Sequence, residues 1–340
     1  MVEYDKSKIS VVIATFNSER TIEQCLKSLS EQDYPQELIE LIIADGGSTD
    51  NTLKIAANYG ARIINVPKDK QGAEYNKGYG MQYVSGEFIL CIDHDNILPH
   101  NKWLKKMLMP LLINPETVAS EPWRYQYDRK FSLLDRYFSL FGVNDPLPYY
   151  LKKADRIDYI HNQYNLRGES LDKGDYYLVE FDKNYPTRIP TLGANGFLIR
   201  RSLFLKSNHE PDHFFHIDIN VDLVKLGYNK YIFIKDDIIH LTNSRLFNFL
   251  KRRKKFMDQY YLTNFAMRRY SVYQSDQDKL GLLIFILYSV TLIRPLIDSI
   301  RGWIKIRDLA WFIHPLMCLA VVYLYGTSVL NPIIFNKKHQ

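Results

Sequence analysis

Asp93 and Asp95 are the residues of this sequence whose spacing points most directly to chemistry. They follow Phe88–Ile92, a short apolar run that reads as a buried strand. Open α/β sheets hold their ligands at the carboxyl ends of strands. Residues i and i+2 of an extended chain point the same way, so the two carboxylates converge. Converging carboxylates repel unless one is protonated or a cation lies between them. A hard divalent ion shared with substrate phosphates is the natural occupant, and a solvated loop is the plain alternative.

Other groups have weaker claims. In Asp45–Asp50 (DGGSTD) two glycines after a strand let a ligand approach the backbone, and Asp45 is placed to accept a hydrogen bond from a base or ribose. Asp50 reads as a helix cap. His240 ends an apolar strand, as a neutral metal ligand or a simply hydrogen-bonded imidazole. Asp218 and Asp222, spaced i,i+4, share one helix face, with His216 just ahead of them. They form either a solvated face or a site for a general base.

Alternating elements must position these groups. Ile9–Ala14, Leu38–Ala44, Ala61–Val66 and Phe88–Ile92 read as strands. Helices are predicted after Ser18, near Thr49–Asp50, over Gly72–Val84 and over Asn101–Ile113. That alternation predicts an α/β fold with a mostly parallel sheet wrapped by helices. Residues 121–190 lack a clean period and read as long loops with short helices. Regularity returns at Thr191–Arg200, in a helix over His216–Leu226, and in strands over Lys230–Ile234 and Ile238–Leu241.

The successive segments VVIATFNSERTIEQCLKSLSEQDYP, LIIADGGSTDNT, GAEYNKGYGMQYVSGEFILCIDHDN, TLGANGFLIRR and HIDINVDLVKLGY together resemble a family 2 glycosyltransferase from about residue 8 to about residue 255. The resemblance implies a GT-A fold, a nucleotide-sugar donor (UDP- or GDP-linked), a divalent metal (Mn2+ or Mg2+) and inversion at the anomeric carbon. It implies that Thr15, Asn17, Glu19 and Asp45 hold the nucleoside. Asp93 and Asp95 match the DxD that binds metal and diphosphate, and Gly193, Ala194, Asn195 and Gly196 match the loop beside sugar and acceptor. His240 matches a histidine that completes the metal site in some members. One position departs from the pattern. Counting back from Gly227-Tyr228, His216 occupies the place of the usual base, and Asp218 is the next acidic position. Asp218 is favoured as base, with His216 second. A nucleotidyltransferase is the rival enzyme, although Ala14–Arg20 lacks a Gly-rich loop followed by Arg and Lys. A catalytically inactive membrane-bound sugar-binding protein is the non-enzyme rival.

Length and composition bound the remainder. The chain has 340 residues, 46% of them apolar and 24% charged, which excludes global disorder. Cys25, Cys91 and Cys318 form no CxxC pair, so a disulfide scaffold is not expected. The N-terminus, MVEYDKSK, lacks the apolar core of a secretory signal. Residues 241–340 hold 15 Lys+Arg and 5 Asp+Glu (+10), which leaves 29 and 33 (−4) for residues 1–240. Two uncharged runs, Leu280–Ile293 and Leu309–Leu330, lie in the basic part. Only the second is long enough to span a bilayer. Arg294-Pro295 predicts a kink. The expected layout is a catalytic domain over 1–244, with 121–190 as an acceptor-side insertion. A membrane-associated region over 245–340 follows, with Lys251–Lys255 at the headgroups. The expected location is the cytoplasmic side of the cell membrane. The acceptor is a glycan or lipid-linked, and nucleic acid is not expected because the basic residues flank apolar runs.

Overall fold

The computed structural model describes residues 6–259 and 267–336. The opening residues 1–5 and part of the helix expected over Leu246–Tyr270 lie outside that range. Two compact units emerge, Met1–Gln126 with Arg167–Leu241, and Tyr127–Leu166 with Thr242–Gln340. This differs from the expected boundaries, because residues 127–166 belong with the C-terminal helices.

The first unit is a ten-stranded mixed sheet. Its strands are β1 (Ile9–Thr15), β2 (Ile39–Asp45), β3 (Arg62–Asn65), β4 (Phe88–Cys91), β5 (Asn96–Ile97), β6 (Ala119–Tyr125), β7 (Glu169–Asp172), β8 (Tyr176–Glu180), β9 (Phe197–Arg200) and β10 (Lys230–His240). The order is β3-β2-β1-β4-β9-β6-β10-β8-β7, with β5 pairing β10. β1 to β4 are mutually parallel, β9 runs antiparallel to β4 and β6, and β6 runs parallel to β10. The apolar run of β1 is buried at every position, as a strand covered on both faces requires. Its side chains pack with Cys25, Leu26 and Leu29 of helix Ile22–Ser30 and with Trp103, Met107 and Leu111 of helix Trp103–Ile113. The two strands expected over 230–241 are one strand whose register shifts between Ile234 and Asp237. β6 and the β7–β8 pair fall in the stretch read as loops.

The second unit is helical. Helix Leu133–Phe141 starts at Ser132, whose Oγ accepts the Asp135 N–H at 3.2 Å, and ends at the left-handed Gly142. Its aromatic face packs with Trp311 and Met317. His314 stacks on Phe141 at 3.9 Å, with the Tyr137 and Tyr150 hydroxyls on its two ring nitrogens. Helix Lys279–Thr291 turns by 79° at Leu292 (φ 59°) into helix Ile293–Lys305. The kink precedes the expected Arg294-Pro295. A proline ring clashes with the carbonyl four residues back, so the helix must break before Pro295 rather than at it. A 3-10 turn (Leu309–Ile313) then leads into helix His314–Asn336. Leu309–Val329 is, among the described residues, the one helical stretch long and apolar enough to cross a membrane, and 39% of it is buried inside the protein.

Lys153 and Asp278 form a buried ion pair at 2.6 Å, and Lys153 also donates to the Val272 carbonyl. Removing one member of such a pair leaves the other buried and unpaired. Asp278→Ala should therefore lower stability by about 3–5 kcal/mol, read from urea midpoints. Asp33→Ala, at the exposed pair with Lys105, should change it by less than about 1 kcal/mol.

Candidate active site

The parallel strands deliver their carboxyl ends to one edge of the first unit's sheet. β1 brings Thr15, β2 brings Asp45, β4 leads into Asp93 and Asp95, and β10 brings His240. β9 runs the other way, so the loop before it, Gly193–Gly196, reaches the same edge.

Asp45 is 1% exposed and accepts four hydrogen bonds. Thr15 Oγ1 and Ser48 Oγ donate to Oδ1, and the Gly47 and Ser48 N–H groups donate to Oδ2. That number matches the lone pairs of a carboxylate. Asn17 Oδ1 accepts the Thr49 N–H at 2.9 Å, and Glu19 Oε2 accepts the Asn51 N–H at 3.1 Å. The Asp50 carboxylate accepts from Glu19 N–H and from Thr52. The residues expected to hold a nucleoside thus lace loops 15–19 and 45–52 together.

The DxD loop belongs to a second network. Asn96 Oδ1 accepts the Asp93 N–H, and Asn96 Nδ2 donates to Asn195 Oδ1 at 3.1 Å. Asn195 (φ 54°) donates to the Tyr125 hydroxyl, and the Tyr125 ring lies 5.3 Å from that of His240. His240 Nε2 closes the circuit, 3.5 Å from Asp95 Oδ2. Asp95 Oδ1 is buried without a hydrogen-bond partner. Burial would raise the Asp95 pKa, but the charge and hydrogen bond of His240, with His94, bring it down to about 2. A buried anionic oxygen without a partner fits a cation ligand. Among the described residues no three His, Cys, Asp or Glu side chains are grouped to hold an ion by themselves. The donor set therefore fits an ion taken by one or two carboxylates and completed by substrate phosphates.

Helix Ala73–Met81 supplies residues that the motif reading passed over. Lys77 Nζ lies 2.7 Å from Asp93 Oδ1, and Lys77 is buried. Burial would lower its pKa, but Asp93 and then Glu74 raise it further, so the ammonium stays charged. One turn earlier, both Glu74 oxygens lie 3.0 Å from His216 Nδ1, and Oε2 also accepts the His216 N–H. Burial would raise the Glu74 pKa, but His216 and Lys77 lower it to about 2. An ionised carboxylate only accepts, so His216 Nδ1 carries a proton and Nε2 is the ring atom left for other work. Gly78 lets segment 211–214 lie on this helix, since a Cβ there would meet Phe214 Cβ at 2.5 Å. Gly193 (φ 110°) does the same for the helix that carries His216, whose carbonyl a Cβ would meet at 2.5 Å.

Asp218 is fully buried in the first turn of helix His216–Lys225. A carboxylate suits the positive end of a helix, and there it is closed to an acceptor. Of the two residues expected as base, His216 is the one held by the Glu74 carboxylate. Only a Glu three residues before a Lys, at the start of a helix that packs on β1 and β2, hinted at the partner of His216.

Residues 10–165 match the profile of Glycosyl transferase family 2. Glycosyltransferase AglE of Haloferax volcanii is 29% identical over 102 residues, 29% of this chain and 33% of that protein. The GalNAc(5)-diNAcBac-PP-undecaprenol beta-1,3-glucosyltransferase of Campylobacter jejuni is 32% identical over 103 residues, 27% of this chain and 30% of that protein. The chain thus spans a third or less of the length of these relatives. The mannosyltransferase PcManGT of Pyrobaculum calidifontis, solved with GDP-Man and Mn2+, shares the fold with a TM-score of 0.52 at 12% identity, over 96% of this chain and 88% of its own.

The Glu74 carboxylate makes a signed prediction. Its folded pKa of about 2 lies below the unfolded value, so its contribution is present above about pH 4.5 and is lost as pH falls towards 2. Urea midpoints measured from pH 6 to pH 2.5 should fall, and Glu74→Gln should remove a part of that fall on the order of 3 kcal/mol.

Proposed function

We propose, on the match of residues 10–165 to the Glycosyl transferase family 2 profile, that the chain belongs to that family and moves a sugar from a UDP- or GDP-linked donor to an acceptor oxygen, with inversion. The observation that carries this reading is the strand-end edge where Asp95 keeps an unpartnered oxygen and a His216–Glu74 pair stands ready.

Asp93 and Asp95 would hold Mn2+ or Mg2+, with His240 beside Asp95. The ion would supply Lewis acidity to the departing diphosphate. Lys77 fixes Asp93 from beneath by its ammonium. The laced loops carrying Thr15, Asn17, Glu19 and Asp45 form the wall for the nucleoside, with Asp45 shaping the loop rather than reaching for the base. Gly193, Ala194, Asn195 and Gly196 present backbone beside the sugar. The acceptor oxygen attacks the anomeric carbon from the face opposite the diphosphate. The new C–O bond forms as the bond to diphosphate breaks. His216 Nε2 takes the acceptor proton, and Glu74 stabilises the imidazolium that forms. The altered base position was the one support for an inactive sugar-binding protein, and a histidine held by a carboxylate removes it.

The acceptor proposed is a glycan or a lipid-linked sugar, as the undecaprenol-linked substrate of the Campylobacter relative suggests. The apolar helices favour the cell membrane, with the first unit on its cytoplasmic side.

Purified protein should turn over one member of a panel of UDP- and GDP-sugars, and both excess chelator and Asp95→Ala should stop it. Full activity in chelator would overturn the metal role. His216→Ala should cut turnover by roughly 10²–10⁴-fold, with donor binding largely kept. Asp218→Asn, if it folds, should stay within about tenfold of the parent, and the reverse outcome would return the base to Asp218.

A further inference from the structure

Helix Ile293–Lys305 is amphipathic in the wrong sense for a soluble protein. Ile293, Leu296, Ile297, Ile300 and Ile304, spaced along one face, are exposed. Asp298 and Ser299, on the opposite face, are buried. Asp298 accepts from Arg294 Nε at 3.0 Å and the Tyr150 hydroxyl at 3.1 Å, and Ser299 Oγ donates to the Trp311 carbonyl. Gly302 lies flat on the Trp311 ring, where a Cβ would come within 2.4 Å. The polar side is therefore fastened inward. Helix Lys279–Thr291 continues the surface, with Leu280, Leu283, Leu287 and Val290 exposed.

We infer that these two helices lie in the plane of one leaflet of an anionic bilayer, apolar faces down. Thirteen residues of helix reach about 20 Å, short of the roughly 30 Å of hydrocarbon. If Lys279–Thr291 stood upright, the 79° turn would lay Arg301 and Lys305 flat in hydrocarbon. Lying in the interface, both helices keep their charges at the headgroups. Every exposed charge of residues 279–329 is basic (Lys279, Arg301, Lys305 and Arg307), while Asp298 and Asp308 are buried. Trp303, with the Arg307 guanidinium 3.8 Å above its ring, is an interfacial anchor. The same basic rim opposes a second copy of the chain, because a two-fold pairing would set Lys and Arg against themselves.

This deepens the membrane reading above and rests on it. Vesicle binding needs neither donor nor acceptor, so its failure would leave the transfer chemistry standing, and the converse holds. Nitroxide labels are placed singly at Ile293, Ile297, Ile300, Ile304 and Leu287 of the full chain, whose Cys25, Cys91 and Cys318 are buried. With phosphatidylglycerol-containing vesicles, every label should lie about 5–10 Å below the phosphates. Depth that rises steadily along 293–304 would mean a span and overturn the inference. So would labels that never reach lipid while the protein dimerises in solution. Ile297→Glu with Ile300→Glu should weaken vesicle binding by roughly 100-fold while near-UV circular dichroism is kept. Phosphatidylcholine alone should bind at least about tenfold more weakly than the anionic mixture. Unchanged binding in either comparison would overturn the proposal.

Discussion

Two buried, opposite charges organise the first unit, Glu74 and Lys77, with His216 on one side of them and Asp93 on the other. Glu74 and Lys77 stand three residues apart on one helix, so they face the same way. Each pairs outward, one with a base candidate and the other with the carboxylate after β4. Each buried charge is tolerable because its neighbour is opposite, and loss of either strands the other. The pair therefore fixes the distance between the group that would take a proton and the group that would hold the leaving diphosphate.

Around this pair the polar side chains separate into those already satisfied and those left open. Asp45, Asn17 and Glu19 use their oxygens on neighbouring loop backbone. They make a rigid wall at the ends of β1 and β2. Asp95 Oδ1 has no such partner among the described residues, and Glu74 engages His216 through Nδ1; Asp95 Oδ1 and His216 Nε2 are the atoms the proposed chemistry would use. Preorganisation of this kind costs nothing at the moment of reaction, because the dipoles are already aimed.

Much of this was legible in the sequence. The apolar runs of β1, β2 and β4 and the spacing of Cys25, Leu26 and Leu29 declared a sheet covered by helices, and the DxD marked the edge on which the candidate site lies. β6 was missed because its buried positions include Ser120, Glu121 and Pro122, which read as loop. Helix Leu133–Phe141 was missed because an Asp and an Arg interrupt its aromatic face. The Glu74–His216 pair joins residues 142 positions apart, which no local period reports. The inverted helix 293–305 defeated the usual inference from the other direction. Its period was visible, but which face turns inward depends on Trp311, beyond its end, and on Tyr150, 148 positions from Asp298 in the chain.

The central claim is that Glu74 serves catalysis through His216, beyond filling space under the helix. Steady-state turnover of Glu74→Gln, with donor affinity measured on the same protein, tests it most directly. Glutamine keeps the size and an acceptor for Nδ1–H but removes the charge that would stabilise the imidazolium. The account predicts turnover lower by roughly 10²-fold or more with donor affinity within about threefold of the parent. Near-normal turnover accompanied by weakened donor binding would contradict it.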